Sequence, residues 1–167
     1  MNEVVPEAEL DAVIVKAIRH HGGQRDAVIP ILNEINQAFG YIPHEAFGKI
    51  RRQINKPETG LFLADSHLFA IASFYQMFSL EPLGQHVIRY CESAPCHVVG
   101  ARQVLEALQN QLGIQPGETT ADGQWSLLPT SCLGLCSVGA VLLIDDDIYG
   151  NVTPDRLPTI LARYQQR

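Results

Sequence analysis

The chain contains no Lys/Arg-rich stretch. Its twelve basic residues are outnumbered by eighteen acidic ones, for a net charge of −6 and a pI near 5.4. A surface so poor in cations cannot neutralise a run of phosphates, which excludes nucleic acid as the expected partner. Nor is there an apolar run of the roughly 20 residues that a bilayer requires. The uncharged run Ser66–Leu80 is fifteen residues long and is interrupted by Ser73, Tyr75 and Gln76. The start, Met1-Asn2-Glu3-Val4-Val5-Pro6-Glu7, is acidic, with neither the basic-then-apolar order of a signal peptide nor the Arg/Ser-rich composition of a transit peptide. The expectation is a chain without membrane insertion in a reducing cytoplasm, where neighbouring cysteines point to metal or redox chemistry more often than to a structural disulfide. G-x-G-x-x-G, a P-loop and a Ser/His/Asp constellation are all missing, so no nucleotide or substrate site is evident. Internal repeats and low-complexity tracts are missing too.

What is present is a hydrophobic fraction of 46% with mean hydropathy near zero, enough for a core. The four cysteines lie in two close pairs, Cys91-Glu92-Ser93-Ala94-Pro95-Cys96 and Cys132-Leu133-Gly134-Leu135-Cys136, with none left over. Two thiolates on one loop can reach one metal centre, and the interval between the pairs accommodates a helix and a return strand. The residues therefore suggest a four-cysteine 2Fe–2S centre carrying one electron at a time.

The first half has helical spacing. Leu10, Val13, Ile14, Ala17 and Ile18 share one face between Glu7 and Arg19, with Gly22-Gly23 closing the helix. A second helix is predicted from about Asp26 to Phe39 and a third, after Tyr41-Ile42-Pro43, to about Ile54. The cluster Asn55-Lys56-Pro57-Glu58-Thr59-Gly60 is a breaker. Ser66 is the expected cap of a fourth helix bearing Leu68, Ile71, Ala72, Tyr75 and Phe78 inward. These segments suggest a helical bundle over residues 1–82, with Phe69, Phe74, Tyr75 and Phe78 as packing residues and part of that stripe facing a partner.

Character changes at Glu81-Pro82-Leu83-Gly84, the expected domain boundary. Over 83–167 the spacing predicts a strand at His86–Cys91 and a helix with Val98, Ala101, Leu105, Leu108 and Leu112 inward, ended by Gly113. Strands at Trp125–Leu128, Ala140–Ile144 and Ile148–Tyr149 follow, then a helix opened by Thr153-Pro154-Asp155. The fold class is α+β, a four-helix bundle followed by an α/β sandwich of the thioredoxin kind.

Spacing alone leaves structural zinc open, since C-x4-C with C-x3-C fits neither metal exclusively. A dithiol oxidoreductase wants C-x-x-C, which neither pair supplies. His97, next to Cys96, is expected to support the centre and not to be a ligand. His20, His21, His44, His67 and His86 show no ligand spacing with one another or with an acid and count as surface or packing residues. Asp145-Asp146-Asp147 is expected to be a solvated turn.

Taken together, His86-Val-Ile-Arg-Tyr-Cys91, Cys96-His97, Leu127-Leu128-Pro129-Thr130, Cys132-Leu133-Gly134 with Cys136, Thr153-Pro154, and in the first half Tyr41-Ile42-Pro43 and Phe74-Tyr75, resemble the thioredoxin-like 2Fe–2S component, the E subunit, of bacterial NADH:quinone oxidoreductase, complex I. The resemblance spans nearly the whole chain. It implies one 2Fe–2S cluster on Cys91, Cys96, Cys132 and Cys136 and an electron accepted from the flavin of a partner NADH-oxidising subunit of the F type. FMN and NADH would bind that partner, and the complex would hold the chain peripherally on the cytoplasmic side of the inner membrane. Related subunits serve NAD-linked hydrogenases and formate dehydrogenases. Two departures stand out: Cys136-Ser137-Val138-Gly139-Ala140 lacks the family's proline, and Ala70-Ile71-Ala72-Ser73-Phe74-Tyr75 replaces Gly-Val-Ala-Thr-Phe-Tyr.

Overall fold

The apolar spacing of the first half folds into α1 (Glu7–His21), α2 (Val28–Phe39), α3 (His44–Ile54) and α4 (Asp65–Phe74) in the computed structural model, which describes residues 5–55 and 62–164. Apart from Asn55, the expected breaker lies outside the described residues. Asn55 itself pairs with the backbone of Leu63, donating to its carbonyl at 2.8 Å and accepting from its N–H at 2.9 Å. Glu7 and Glu9 begin α1 and Arg19 lies in its last turn, so both ends carry the charge that the helix dipole favours. Ile14, Ile31, Leu32, Ile35, Phe47, Ile50 and Leu68 meet in one core, none of them more than 2% exposed.

Three local expectations fail. Arg25–Ala27 is a separate 3-10 turn, so α2 starts two residues later than Asp26. α4 starts at Asp65 after Ala64, which puts Ser66 inside the helix and leaves no side-chain cap. The same helix stops at Phe74, because Tyr75 takes an extended conformation. The helical face predicted to continue through Phe78 is broken there: Phe78 still reaches the core from a turn, whereas Phe74 is 77% exposed and Phe69 and Tyr75 are also exposed. Asn36 on α2 secures the chain beyond α4, accepting from the Ser79 N–H at 3.0 Å.

The described chain divides at Pro82–Leu83 into two units, each with its own core. The second unit is a mixed four-stranded sheet in the order β2-β1-β3-β4, built from β1 (His86–Cys91), β2 (Trp125–Thr130), β3 (Leu142–Ile144) and β4 (Asp147–Tyr149). β1 and β2 run parallel, which demands a long crossover, and α5 (Ala94–Val98) and α6 (Ala101–Leu112) supply it. β3 pairs antiparallel with β1 and β4 with β3. After a 3-10 turn at Pro154–Arg156, α7 (Leu157–Leu161) closes the chain. Ile88, Leu108, Leu127, Ile144 and Leu157 form the centre of this core, all fully buried.

Val98, predicted inward, is 84% exposed, because α5 ends there and α6 starts afresh at Ala101 with Val104 and Leu108 as its buried residues. Beyond the predicted strand ends, β2 extends to Thr130 and β3 is confined to three residues. Among the described residues no helix is long and apolar enough to cross a membrane.

Candidate metal centre

Parallel pairing of β1 with β2 in the register Cys91↔Thr130 makes the two strands end side by side. The loops that leave them therefore start from one edge of the sheet, and these are the loops that carry the cysteines. Cys91 is the last residue of β1 and Cys96 lies in α5, where Pro95 occupies the first turn without wasting an N–H. Cys132 follows β2 by two residues and Cys136 opens a 3-10 turn, Cys136–Val138. All four thiols are free.

Within each loop the thiols are paired. Cys132 Sγ lies 3.4 Å from Cys136 Sγ, and the thiols of Cys91 and Cys96 interact directly with each other. Across the gap, the Cys91 N–H donates to the Val141 carbonyl at 3.3 Å, and the backbone of Leu133 in the second loop helps lower the pKa of the Cys91 thiol. The Gly134 N–H donates to Cys132 Sγ at 3.4 Å. Gly134 holds φ +78°, a left-handed conformation that costs a side chain roughly 1–2 kcal/mol. Its need for glycine is conformational and not steric, since an added Cβ would meet no protein atom within 4 Å. Gly139 is the crowded one: a Cβ there would come within 2.7 Å of Val99 and 3.6 Å of Cys96 Sγ. Cys91 and Cys96 are buried, whereas Cys132 and Cys136 are exposed.

Four thiolates suit either iron–sulfur or zinc, but their arrangement separates the two. A single tetrahedral ion with metal–sulfur bonds of about 2.3 Å holds all four sulfurs about 3.8 Å apart. Among the described residues no three cysteine sulfurs gather within 4.8 Å of one another. Two separate pairs suit two metal ions joined by bridging sulfides.

The pattern that defines thioredoxin-like 2Fe-2S ferredoxins matches residues 14–165. The chain belongs to that family. The E subunit of NADH-quinone oxidoreductase from Salmonella typhimurium is 37% identical over 161 residues, 94% of this chain and 93% of its own length. The protein of the same name from Aquifex aeolicus is 35% identical over 156 residues, 93% of each. Among solved structures, an NAD+-reducing nickel–iron hydrogenase in its H2-reduced state superposes with a TM-score of 0.64 at 23% identity, over 81% of this chain and 22% of that one, a likeness of fold.

In this thioredoxin-like ferredoxin the protein environment treats its thiols unequally. Burial raises the Cys91 thiol, but donors from Ser93, Cys96 and Leu133 outweigh it, so its pKa lies below the ordinary value. Burial, then the neighbouring Cys91, push Cys96 up. Cys136 is also raised, first by its hydrogen bond with Cys132. Backbone N–H groups aimed at the sulfurs would stabilise the negative charge of a bound cluster. His97 is exposed on α5 and lines a shallow cleft with Tyr90, Cys91, Glu92 and Arg102.

Two sets of ionisable residues read as bystanders have defined partners instead. His86 Nδ1 lies 2.7 Å from Asp145 Oδ2, and Asp145 Oδ1 accepts from the Val87 N–H at 2.9 Å. Tyr164 donates to Asp147 Oδ2 at 2.7 Å. Two of the three aspartates in the supposed solvated turn thus join β1, β4 and the C-terminal segment. His20 and His21 both meet Glu34 on α2. No spacing rule finds these contacts, since the partners are 13 to 59 residues apart.

Proposed function

We propose that Cys91, Cys96, Cys132 and Cys136 hold one 2Fe–2S cluster, and that the chain is the one-electron relay of the NADH-oxidising module of NADH:quinone oxidoreductase. The observation that supports this is that two pairs of free thiols lie on the loops leaving the shared end of two parallel strands. Identity of 35–37% along nearly the full length to proteins named as the E subunit of that enzyme supports the assignment to this complex.

A cluster of this kind, when bound, takes up and gives back a single electron. The protein supplies the rest. Buried Cys91 and Cys96 would anchor the centre from the core side, the Gly134 N–H would support the sulfur of Cys132, and exposed Cys132 and Cys136 would form the rim open to a partner. In this reading the partner is a flavin-bearing subunit of the F type, which binds FMN and NADH, and the complex stands on the cytoplasmic side of the inner membrane. Residues 1–82 form a four-helix bundle domain and residues 83–167 the cluster domain.

Anaerobically purified protein should contain about two irons per chain and give a 2Fe–2S EPR signal on reduction. Cys132→Ala should lose both. Stoichiometric zinc in a colourless preparation would overturn the cluster assignment. Co-purification tests the complex: a flavin subunit with a membrane arm supports it, whereas a hydrogenase or formate dehydrogenase partner would reassign the chain to that enzyme's diaphorase part.

A further inference from the structure

Far along the sequence from the cysteines, the end of α1 and the middle of α2 present a second donor set. His20 and His21 are consecutive, so their Cβ atoms diverge by about 100° around the helix. Their rings nonetheless converge, because His20 uses its near nitrogen and His21 its far one. His20 Nδ1 stands 2.7 Å and His21 Nε2 2.9 Å from the same oxygen, Glu34 Oε1. The ring centroids are 4.4 Å apart, and one donor atom from each of the three residues lies within 4.8 Å of the other two. Among the described residues no other group of three His, Cys, Asp or Glu side chains meets that limit.

We propose that His20 Nδ1, His21 Nε2 and Glu34 Oε1 form a surface binding site for a divalent transition-metal ion of the zinc–copper–nickel class. Two imidazoles and a carboxylate are borderline donors suited to those ions and poorly suited to calcium or magnesium, which take all-oxygen shells. Three protein ligands leave the remaining positions to water, and with bonds of 2.0–2.1 Å a tetrahedral ion needs donor atoms ~3.4 Å apart. The two histidine–glutamate separations have to widen by only about 0.5–0.7 Å. The donors stand on two helices whose packed faces place Ala17, Ile31 and Ile35 in the core, so the scaffold is fixed before the ion arrives. His21 and Glu34 are shielded, at 27% and 21% side-chain exposure, while His20 is open at 69% and provides the way in.

An ion here would fasten the end of α1 to α2, independently of the cysteines. The test uses the cluster-loaded protein, so that the thiolates are occupied. Titration with zinc should reveal one site that weakens about tenfold or more in His20→Asn, His21→Asn and Glu34→Gln, with the iron content of each variant unchanged. Copper(II) bound at one equivalent should show EPR hyperfine coupling to two imidazole nitrogens, a signature that falls to one nitrogen in His20→Asn. Because His20 is largely exposed, that variant keeps the helix pair intact. Zinc binding no tighter than about millimolar would overturn the proposal. So would an affinity unchanged in Glu34→Gln or in His21→Asn.

Discussion

Among single residues, Gly134 and Cys91 carry the sharpest consequences. Gly134→Ala places a Cβ on a left-handed backbone between two proposed ligands. Denaturant unfolding should show the second unit destabilised by about 1–2 kcal/mol, with iron retained or only partly lost, because the strain is conformational and displaces no neighbour. Cys91→Ala acts differently. It empties a buried position that is 1% exposed and takes away a ligand, so both the iron content and the melting temperature should fall. Iron analysis beside thermal unfolding separates the two variants. The four cysteines were legible because chemistry marks them at any distance. The His20–His21–Glu34 and His86–Asp145 contacts were not, because each joins residues from separate elements and exists only after packing.

At the scale of elements, short connections decide what the strands can do. Gly84 lies so close to the following hairpin that an added Cβ would sit 3.0 Å from the Gly123 carbonyl oxygen and the Trp125 backbone. Its N–H also donates to the fully buried Ser126 hydroxyl at 2.7 Å. Gly84→Ala should destabilise the second unit by about 1–3 kcal/mol, seen as a lower denaturation midpoint. The turn that it touches has a pH signature. The Thr120 hydroxyl and then the Gln124 N–H hold the Asp122 carboxyl below its usual pKa. A depressed folded pKa adds stability above the ordinary carboxylate range and loses it as pH falls through the lowered value. Asp122→Asn should therefore flatten the acid side of the stability curve, measured by unfolding at successive pH values. Helices were readable from spacing because one face of each is buried, and α1 to α3 fall close to their expected spans. α4 deceived because Ala64-Asp65-Ser66 offers several possible starts, and because its apolar residues continue past Phe74 after the helix has ended. β3 was overextended for a related reason: Ala140 and Val141 are buried outside the strand, so apolar character alone could not mark its start.

For the molecule as a whole, two separate cores mean that metal loss should be felt unequally. Removing iron with a chelator should raise amide hydrogen exchange across residues 83–167, while the slowest amides of α1 to α3 keep their protection. Uniform loss of protection would show that the two cores unfold as one. The division near Pro82 coincides with a change of apolar period from 3.6 to 2, a signal that local sequence carries without any tertiary contact. The strand order β2-β1-β3-β4 carried no such signal, since it depends on which edges meet.

The unequal burial of the sulfurs also sets the order of events in the life of the chain. With the proposed site empty, peroxide can reach Cys132 and Cys136, 3.4 Å apart at the rim, more readily than the interior pair. One equivalent should consume two of the four thiols, giving one disulfide and two waters, and the product should refuse iron until a reductant reopens it. Newly made protein is thus in a race between maturation and oxidation, decided at its outer lip.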